Sequence, residues 1–421
     1  MVKIIYGFIA SLLFAAAWGG NGAEFRTIGE SRGNKKNEVG IVAGNTYSEV
    51  ALLNPSVHRA IIKYEEFGAY LPAKDILNRS TYDEEKAKIR MFFKPGLRAW
   101  ETQGRRSYLI GDGRWTLEQQ GKTVKYFRSW KRGNNKVTSE INVYMDDKKA
   151  EFIVEGVFTN KGRSDCAVEF SPQFTFLRDQ DLTLIIPRKH SDDINGKQKD
   201  FFYAEKVILN NAKGRKYFWR RVAKGDNSGF IDYVARERIP FTNPNIARVD
   251  MLGFVQLLGK SSLIWDIKNA AEAESLQYAE FGWEINMGDA VLSWNVDLKR
   301  NETKKVKFRV LTVKGLSRFD AVSNDMVVGY GVEEQNKLKI EMAPLRPLGI
   351  SQLSGKVISA RNKHVLIHQS SELAEMQPFS SGSMEWRATF AFDRSSSYPI
   401  EMTLHSKSGD LLLESDGVIV P

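Results

Sequence analysis

Residues 290–313 read A-V-L-S-W-N-V-D-L-K-R-N-E-T-K-K-V-K-F-R-V-L-T-V. Leu292, Trp294, Val296 and Leu298 alternate with polar residues, and Val306, Phe308 and Val310 do so again after Asn301. A period of two places one set of side chains on a buried sheet face and the other in water, so this stretch predicts two strands. The same period recurs on both sides. It runs through Thr46–Asn54, His58–Tyr64, Ser107–Ile110, Thr123–Trp130, Lys136–Met145, Glu151–Phe158, Ala167–Phe176 and Leu182–Ile186, separated by Gly, Asn and Asp turns. Arg248–Leu258 and Ser262–Ile267 flank Gly259-Lys260-Ser261 as a hairpin pair. The fold class predicted is all-β.

Two stretches break the pattern toward helix. Asp83-Glu84-Glu85 opens toward Ile89 and Met91 before Pro95, which resembles an acidic first turn with a terminal stop. Ala270–Tyr278 reads as a helix or a wide loop.

The first residues predict a compartment. Lys3 supplies a positive charge, Ile4–Trp18 an apolar run and Gly19–Ala23 small residues, so residues 1–23 are expected to be a signal peptide. The run is shorter than the roughly 20 residues that span a bilayer, and no later uncharged segment approaches that length, so no transmembrane segment is expected. The expected localisation is secreted or periplasmic. The lone Cys166 excludes an internal disulfide framework and is read as a small buried residue.

The chain is too long for one ordinary core. Ala343-Pro344-Leu345-Arg346-Pro347-Leu348-Gly349 holds two prolines in four residues, a composition suited to a short stiff linker. The expected organisation is a large domain over 24–342, a linker over 343–349 and a small β-sandwich over 350–421, built from short alternating runs such as Ser354–Ala360 and Pro399–His405.

Net charge is +10, and it is concentrated in two places. Residues 94–136 carry eleven Lys and Arg against three acids, and residues 197–224 carry nine against two. In an exported chain these stretches point to acidic glycans or membrane surfaces, not to nucleic acid. Each basic stretch interleaves cations with rings. Tyr126, Arg128 and Trp130 share one face of a strand by parity, and so do Tyr217, Trp219 and Arg221. Two readings are open: the rings stack on sugars while the guanidinium forks hold carboxylate or sulfate, or the rings are core and the cations face water.

The order of strand signals over residues 46–315 resembles the supersandwich of the galactose-mutarotase-like superfamily. S-E-V-A-L-L-N with G-A-Y-L at Gly68–Leu71, E-F-I-V-E-G-V-F-T-N at Glu151–Asn160, and the closing W-N-V-D-L with V-K-F-R-V carry the resemblance. It implies a large antiparallel supersandwich, followed here by an immunoglobulin-like sandwich. Mutarotases of that family use a His some dozen residues after the Asn turn and a late Glu as acid and base. This chain has Ser171-Pro172-Gln173 where the His would stand, which leaves Glu284 as a late carboxylate without that partner.

Other constellations are weaker. Pro187-Arg188-Lys189-His190-Ser191-Asp192-Asp193 combines an imidazole with two carboxylates in what reads as a polar loop, so Arg188 and His190 are candidate catalytic residues alongside Glu284. Glu151, Glu155 and Asp266 are carboxylates in predicted strands. His364 and His368 share a strand face without a third zinc ligand, so no metal site and no cofactor are expected.

The expected function is recognition of a polysaccharide, acidic in character, on a concave sheet face through Tyr126, Arg128, Trp130, Tyr217, Trp219 and Arg221. The alternative is a polysaccharide lyase or glycoside hydrolase on the same fold. An envelope structural or assembly protein is the third class.

Overall fold

The computed structural model describes residues 24–32, 35–53, 82–83, 88–95, 97–103, 106–109, 115–132, 135–177, 182–194, 197–208, 219–223, 230–233, 251–256, 261–267, 275–281, 287–359 and 361–421. These residues contain no helix, and so none long and apolar enough to cross a membrane. The fold class is all-β. The expected leader, the strand at His58–Tyr64 and the turn at Phe67–Pro72 lie outside the described residues.

Two thirteen-stranded sheets and one four-stranded sheet make up the described architecture. The main path of the first sheet runs Glu24–Arg32, Lys35–Gly44, Ser48–Leu53, Lys88–Lys94, Gln173–Leu177, Met287–Leu298, Cys166–Phe170, Leu97–Gln103 and Arg106–Leu109. The second runs Val365–Leu373, Ser351–Ile358, Tyr398–Ser406, Leu411–Ile419, Lys197–Ile208, Leu182–Ile194, Met251–Gln256, Ser261–Asp266, Thr303–Lys314, Glu151–Asn160, Asn135–Met145, Thr123–Arg132 and Trp115–Gln120. Pairing is antiparallel except between Ser48–Leu53 and Lys88–Lys94, and at one bridge from Phe202 to Gly417.

Strands Met287–Leu298 and Thr303–Lys314 are both present, but they belong to different sheets. Their connection crosses from one layer to the other, and Asn301 takes a left-handed φ of 58° to make the corner. The inward residues of the two strands therefore face each other: the Trp294 ring stacks on Phe308 at 5.1 Å and on Phe170 at 5.5 Å. Phe174, Trp265, Phe152 and Phe254 extend this aromatic core. The lone Cys166 is buried at its edge.

Two buried asparagines fix how the layers are joined. Asn160 ends the strand Glu151–Asn160, and its Nδ2 donates to the carbonyls of Ser164 (2.8 Å), Lys299 (3.2 Å) and Leu298 (3.3 Å). Its Oδ1 accepts the Gly162 amide at 2.8 Å. One side chain thus satisfies backbone from both layer-crossing connections. At the other end of that strand, Asn45 Nδ2 donates to the carbonyls of Asp146 (2.7 Å) and Lys149 (2.8 Å), while its Oδ1 accepts the amides of Tyr47 and Ser48.

Of the stretches expected to be helical, the described residues are extended. Lys88–Lys94 is a strand paired with Ser48–Leu53, and its Phe93 is fully buried, so tertiary pairing overrides the acidic start at Asp83. Ser275–Phe281 is likewise a strand, paired with Met287–Leu298. The predicted hairpin is present as Met251–Gln256 and Ser261–Asp266. Met326–Glu334 and Lys337–Pro344 are joined by a turn at Gln335-Asn336.

Residues 350–421 do not form a core of their own. Met326, Val328, Tyr330, Leu338, Ile340 and Met342 pack in one cluster with Leu353, Trp386, Ile400, Met402 and Leu413. The strands Met326–Glu334 and Lys337–Pro344, with Gly382–Arg387, form the sheet opposing Ser351–Ile358 and its neighbours. The proline-rich stretch expected to be a linker is pinned. Leu345 is buried, its amide donates to Asp325, and its carbonyl accepts from Ala150.

Asn160→Ala is predicted to destabilise the chain by about 3 kcal/mol or more, because several interior carbonyls lose their donor together. Asn160→Asp should cost at least as much, since it keeps the shape but removes the donors. Chemical denaturation of both variants checks this.

Candidate functional site

The strand Thr123–Arg132 carries the first ring-and-cation stretch. Its alternation is visible: Val124, Tyr126, Arg128 and Trp130 turn inward, while Lys125, Phe127, Ser129 and Lys131 turn outward. Parity thus groups Tyr126, Arg128 and Trp130 as expected, but the shared face is the core face. Tyr126 is 0% exposed and Trp130 2%, so neither ring is available to stack on a ligand. Phe93 of the opposing sheet lies 5.9 Å from the Tyr126 ring.

Arg128 is the exception on that face. It is half-buried, and its guanidinium lies 4.8 Å from the Trp130 ring and 5.3 Å from the Trp115 ring. A guanidinium over an indole face is held by the ring quadrupole, an attraction of about 0.5–2 kcal/mol that grows with desolvation. Trp115 belongs to the edge strand Trp115–Gln120, directly opposite Arg128, and is itself half-buried. The sequence reading passed over Trp115. The signal was its place in W-T-L-E-Q-Q before Gly121, whose φ of 61° turns the chain back into the next strand.

On the other side of Arg128, its cross-strand partner is Ser139. Among the described residues, the buried hydroxyls of Ser139 and Tyr126 have no hydrogen-bond partner. Leaving such groups unpaired costs about 1–3 kcal/mol each. Burial pushes the Tyr126 phenol well above its ordinary pKa, so it stays protonated. The indole N–H groups of Trp265 and Trp294 are also unpaired, deeper among the aromatic residues of the core. Ser139 differs in lying opposite a half-buried cation.

The carboxylates read from the strands meet a different fate. Glu151 and Asp266 converge on Arg309, which donates to Glu151 Oε2 at 2.9 Å, to Asp266 Oδ2 at 3.0 Å through Nε, and to the Ser323 carbonyl at 2.9 Å. A guanidinium bridging both acids holds them as structural counter-ions. Glu155 lies on the outer face, 4.0 Å from Lys305.

The candidate acid–base residues are not gathered with Arg128. Arg188 and His190 lie within the strand Leu182–Ile194, opposite Tyr203 and Phe201, where a polar loop was expected. The pairing with Met251–Gln256 stops at Ile185, so Pro187 falls where a missing N–H disrupts no ladder on that side. The side chains of Arg188 and His190 lie outside the described residues, as do Glu284 and Tyr217 entirely. Trp219 and Arg221 sit on the strand Trp219–Ala223, paired with Phe230–Tyr233 and Ser275–Phe281 in the first sheet; their side chains are also outside the description. The two ring-and-cation stretches thus belong to different sheets. Among the described residues no three His, Cys, Asp or Glu gather to hold a metal.

No protein-family model matches the chain, and no curated protein matches it. Solved structures do align. A galactose mutarotase-like protein from Clostridium acetobutylicum is 9% identical, over 70% of this chain and 100% of that one, with a TM-score of 0.39. A second mutarotase-like protein, from Lactobacillus casei, is 10% identical over 52% of this chain and 84% of that one, with a TM-score of 0.31. A polysaccharide lyase is 11% identical over 94% of this chain and 46% of that one, with a TM-score of 0.29. The all-β class stands on the chain's own strands.

Three outcomes are expected from mutation here. Arg309→Met should cost about 3–5 kcal/mol by stranding two largely buried carboxylates, and adding Glu151→Gln with Asp266→Asn should recover part of the loss. Trp130→Ala should cost about 3–5 kcal/mol as a core deletion. Tyr126→Phe should leave stability unchanged or raise it, because the lost hydroxyl had no partner. Denaturant midpoints for the three separate structural from ligand-facing roles.

Proposed function

We propose that the chain is an exported protein that binds an acidic polysaccharide at the edge of the large sandwich, around Trp115 and Arg128. The carrying observation is the placement of Arg128. It is an inward-facing, half-buried cation laid over two indoles, one of them the half-buried Trp115 of the edge strand.

Each part has a chemical counterpart in a uronate or sulfated sugar. The guanidinium fork matches a carboxylate or sulfate in two parallel hydrogen bonds. The half-buried Trp115 offers an apolar ring to the sugar's C–H face. The charge of +10, with its excess over residues 94–136, raises the local concentration of a polyanion. The leader over residues 1–23 supports export to a compartment where such glycans occur.

Calorimetric titration of the full chain with acidic and neutral oligosaccharides tests this. Arg128→Ala and Trp115→Ala should each weaken binding of the acidic ligand about tenfold or more, roughly 1.4 kcal/mol. Arg128→Lys should fail to restore it, and added salt should weaken binding in the wild type. Unchanged affinity in both alanine variants would overturn the assignment.

A further inference from the structure

Three connections meet at one end of the large sandwich. Lys131 and Lys136 face each other across the hairpin that joins Thr123–Arg132 to Asn135–Met145. Residues 161–165 and 299–302 are the two crossings between the layers. Backbone bonds hold the three side by side: the Lys161 amide donates to the Lys136 carbonyl at 2.7 Å, and the Asn160 amide to the Glu302 carbonyl at 2.9 Å.

This end is strongly basic. Residues 131–136, 161–165 and 299–304 carry eight Lys and Arg against two acids. Lys131, Lys136 and Lys161 are exposed, as are Arg163, Lys299, Arg300 and Lys304. Both acids are occupied in holding the turns: Asp165 Oδ1 accepts the Arg300 amide at 3.1 Å, and Glu302 Oε2 accepts the Lys299 amide at 2.7 Å. Glu302 Oε1 stands 3.8 Å from Lys304. Like charges directly opposite each other, as at Lys131 and Lys136, destabilise a sheet, and an anion lying over them relieves that cost.

The basic positions form a track. Thr123–Arg132, Asn135–Met145, Glu151–Asn160 and Thr303–Lys314 are neighbours in that order. At roughly 4.8 Å from strand to strand, their ends span about 15 Å. The track starts on the strand that carries Arg128, which precedes Lys131 by three residues, about 10 Å. No ring or aliphatic side chain occurs among residues 131–136, 161–165 and 299–304. Peripheral membrane binding joins charge to buried apolar area, which these connections lack, whereas a charged polymer needs only repeated attraction between opposite charges.

We propose that this basic end holds the continuation of a linear polyanion, a glycan with acidic groups in series, whose first acidic unit lies at Arg128. The inference rests on the acidic-polysaccharide reading of Arg128 and narrows it, from any sugar bearing an acid to a polymer of repeated charge. Each exposed cation alone contributes a weak, salt-screened attraction. Once Arg128 holds one unit, the following units meet the track at high effective concentration, and the small attractions compound. Affinity therefore follows chain length.

Calorimetric titration of the full chain with the disaccharide and the decasaccharide of galacturonic acid, at low and high salt, tests this. The decasaccharide should bind about tenfold or more tightly than the disaccharide, and the gain should shrink as salt rises. Lys131→Gln with Lys136→Gln, and Lys161→Gln with Arg300→Gln, should each remove most of that gain. Both double variants should keep the wild-type affinity for the disaccharide and the wild-type melting temperature, because the substituted side chains are exposed. Arg128→Ala should weaken both lengths. Equal affinity for the two lengths, or a gain that survives both double variants, overturns the proposal and leaves the Arg128 reading standing. A gain lost in the double variants but untouched by Arg128→Ala supports the basic end and overturns the reading of Arg128. Cosedimentation with phosphatidylglycerol vesicles that the decasaccharide fails to displace assigns the end to a bilayer and overturns the proposal.

Discussion

The large sandwich depends on buried asparagine side chains standing in for backbone partners at its corners. A strand that leaves one layer for the other abandons its ladder, and its carbonyls enter the interior without donors. Asn160 supplies such donors to two crossings at once, and Asn45 performs the equivalent task at the opposite end of the same strand. With the strand Glu151–Asn160 held at both ends, the inward rings meet in one arrangement, and Trp294 lies on Phe308 across the layers. An amide is suited to this role because it donates twice and accepts on the same planar group.

The same economy governs the joint between the two cores. The turn before Glu151 is held by Asn45 from the first sheet. Ala150 donates to Leu345 and accepts from Thr312, so one residue joins the small sandwich to the second sheet. Arg309 adds an ionic tie, drawing in Glu151, Asp266 and the Ser323 carbonyl. Ala150, Leu311, Val313, Leu316, Phe319, Val327, Ala343 and Leu345 fill the space between as a third apolar cluster. Phe379 reaches across from the small sandwich to contact Tyr47, with its backbone in the left-handed region at a φ of 66°. Side-chain packing and backbone bonding therefore converge on the same few residues.

Much of the fold was legible because a sheet buried on one face writes its geometry into the sequence at period two. That period identifies a strand but not its sheet, which is why residues 290–313 read correctly as two strands yet gave no hint that they part company. Nor does parity say which face is core. It grouped Tyr126, Arg128 and Trp130 correctly, and only the opposing layer, through Phe93, shows the group turned inward. Prolines at 344 and 347 read as a linker because local stiffness resembles a boundary, while one of the hydrogen bonds that pin Leu345 comes from Ala150, nearly two hundred positions away. The acids at 83–85 imitated a helix start for the same reason: the parallel partner at Ser48–Leu53 is remote in sequence. Trp115 escaped notice because its importance lies in what stands opposite it, and register is a property of two strands.

The bridge between Phe202 and Gly417 makes the second large sheet continuous from one core into the other. Its consequence concerns portability. A segment beginning at residue 350 carries one layer of the shared core but only the single strand Gly382–Arg387 of the other, having left its partners in Met326–Pro344 behind with the larger body. Transplanted onto another protein, it would bring a raw apolar surface and a severed sheet margin, so this C-terminal region has the outward proportions of an interchangeable module without the self-sufficiency that recombination of modules requires.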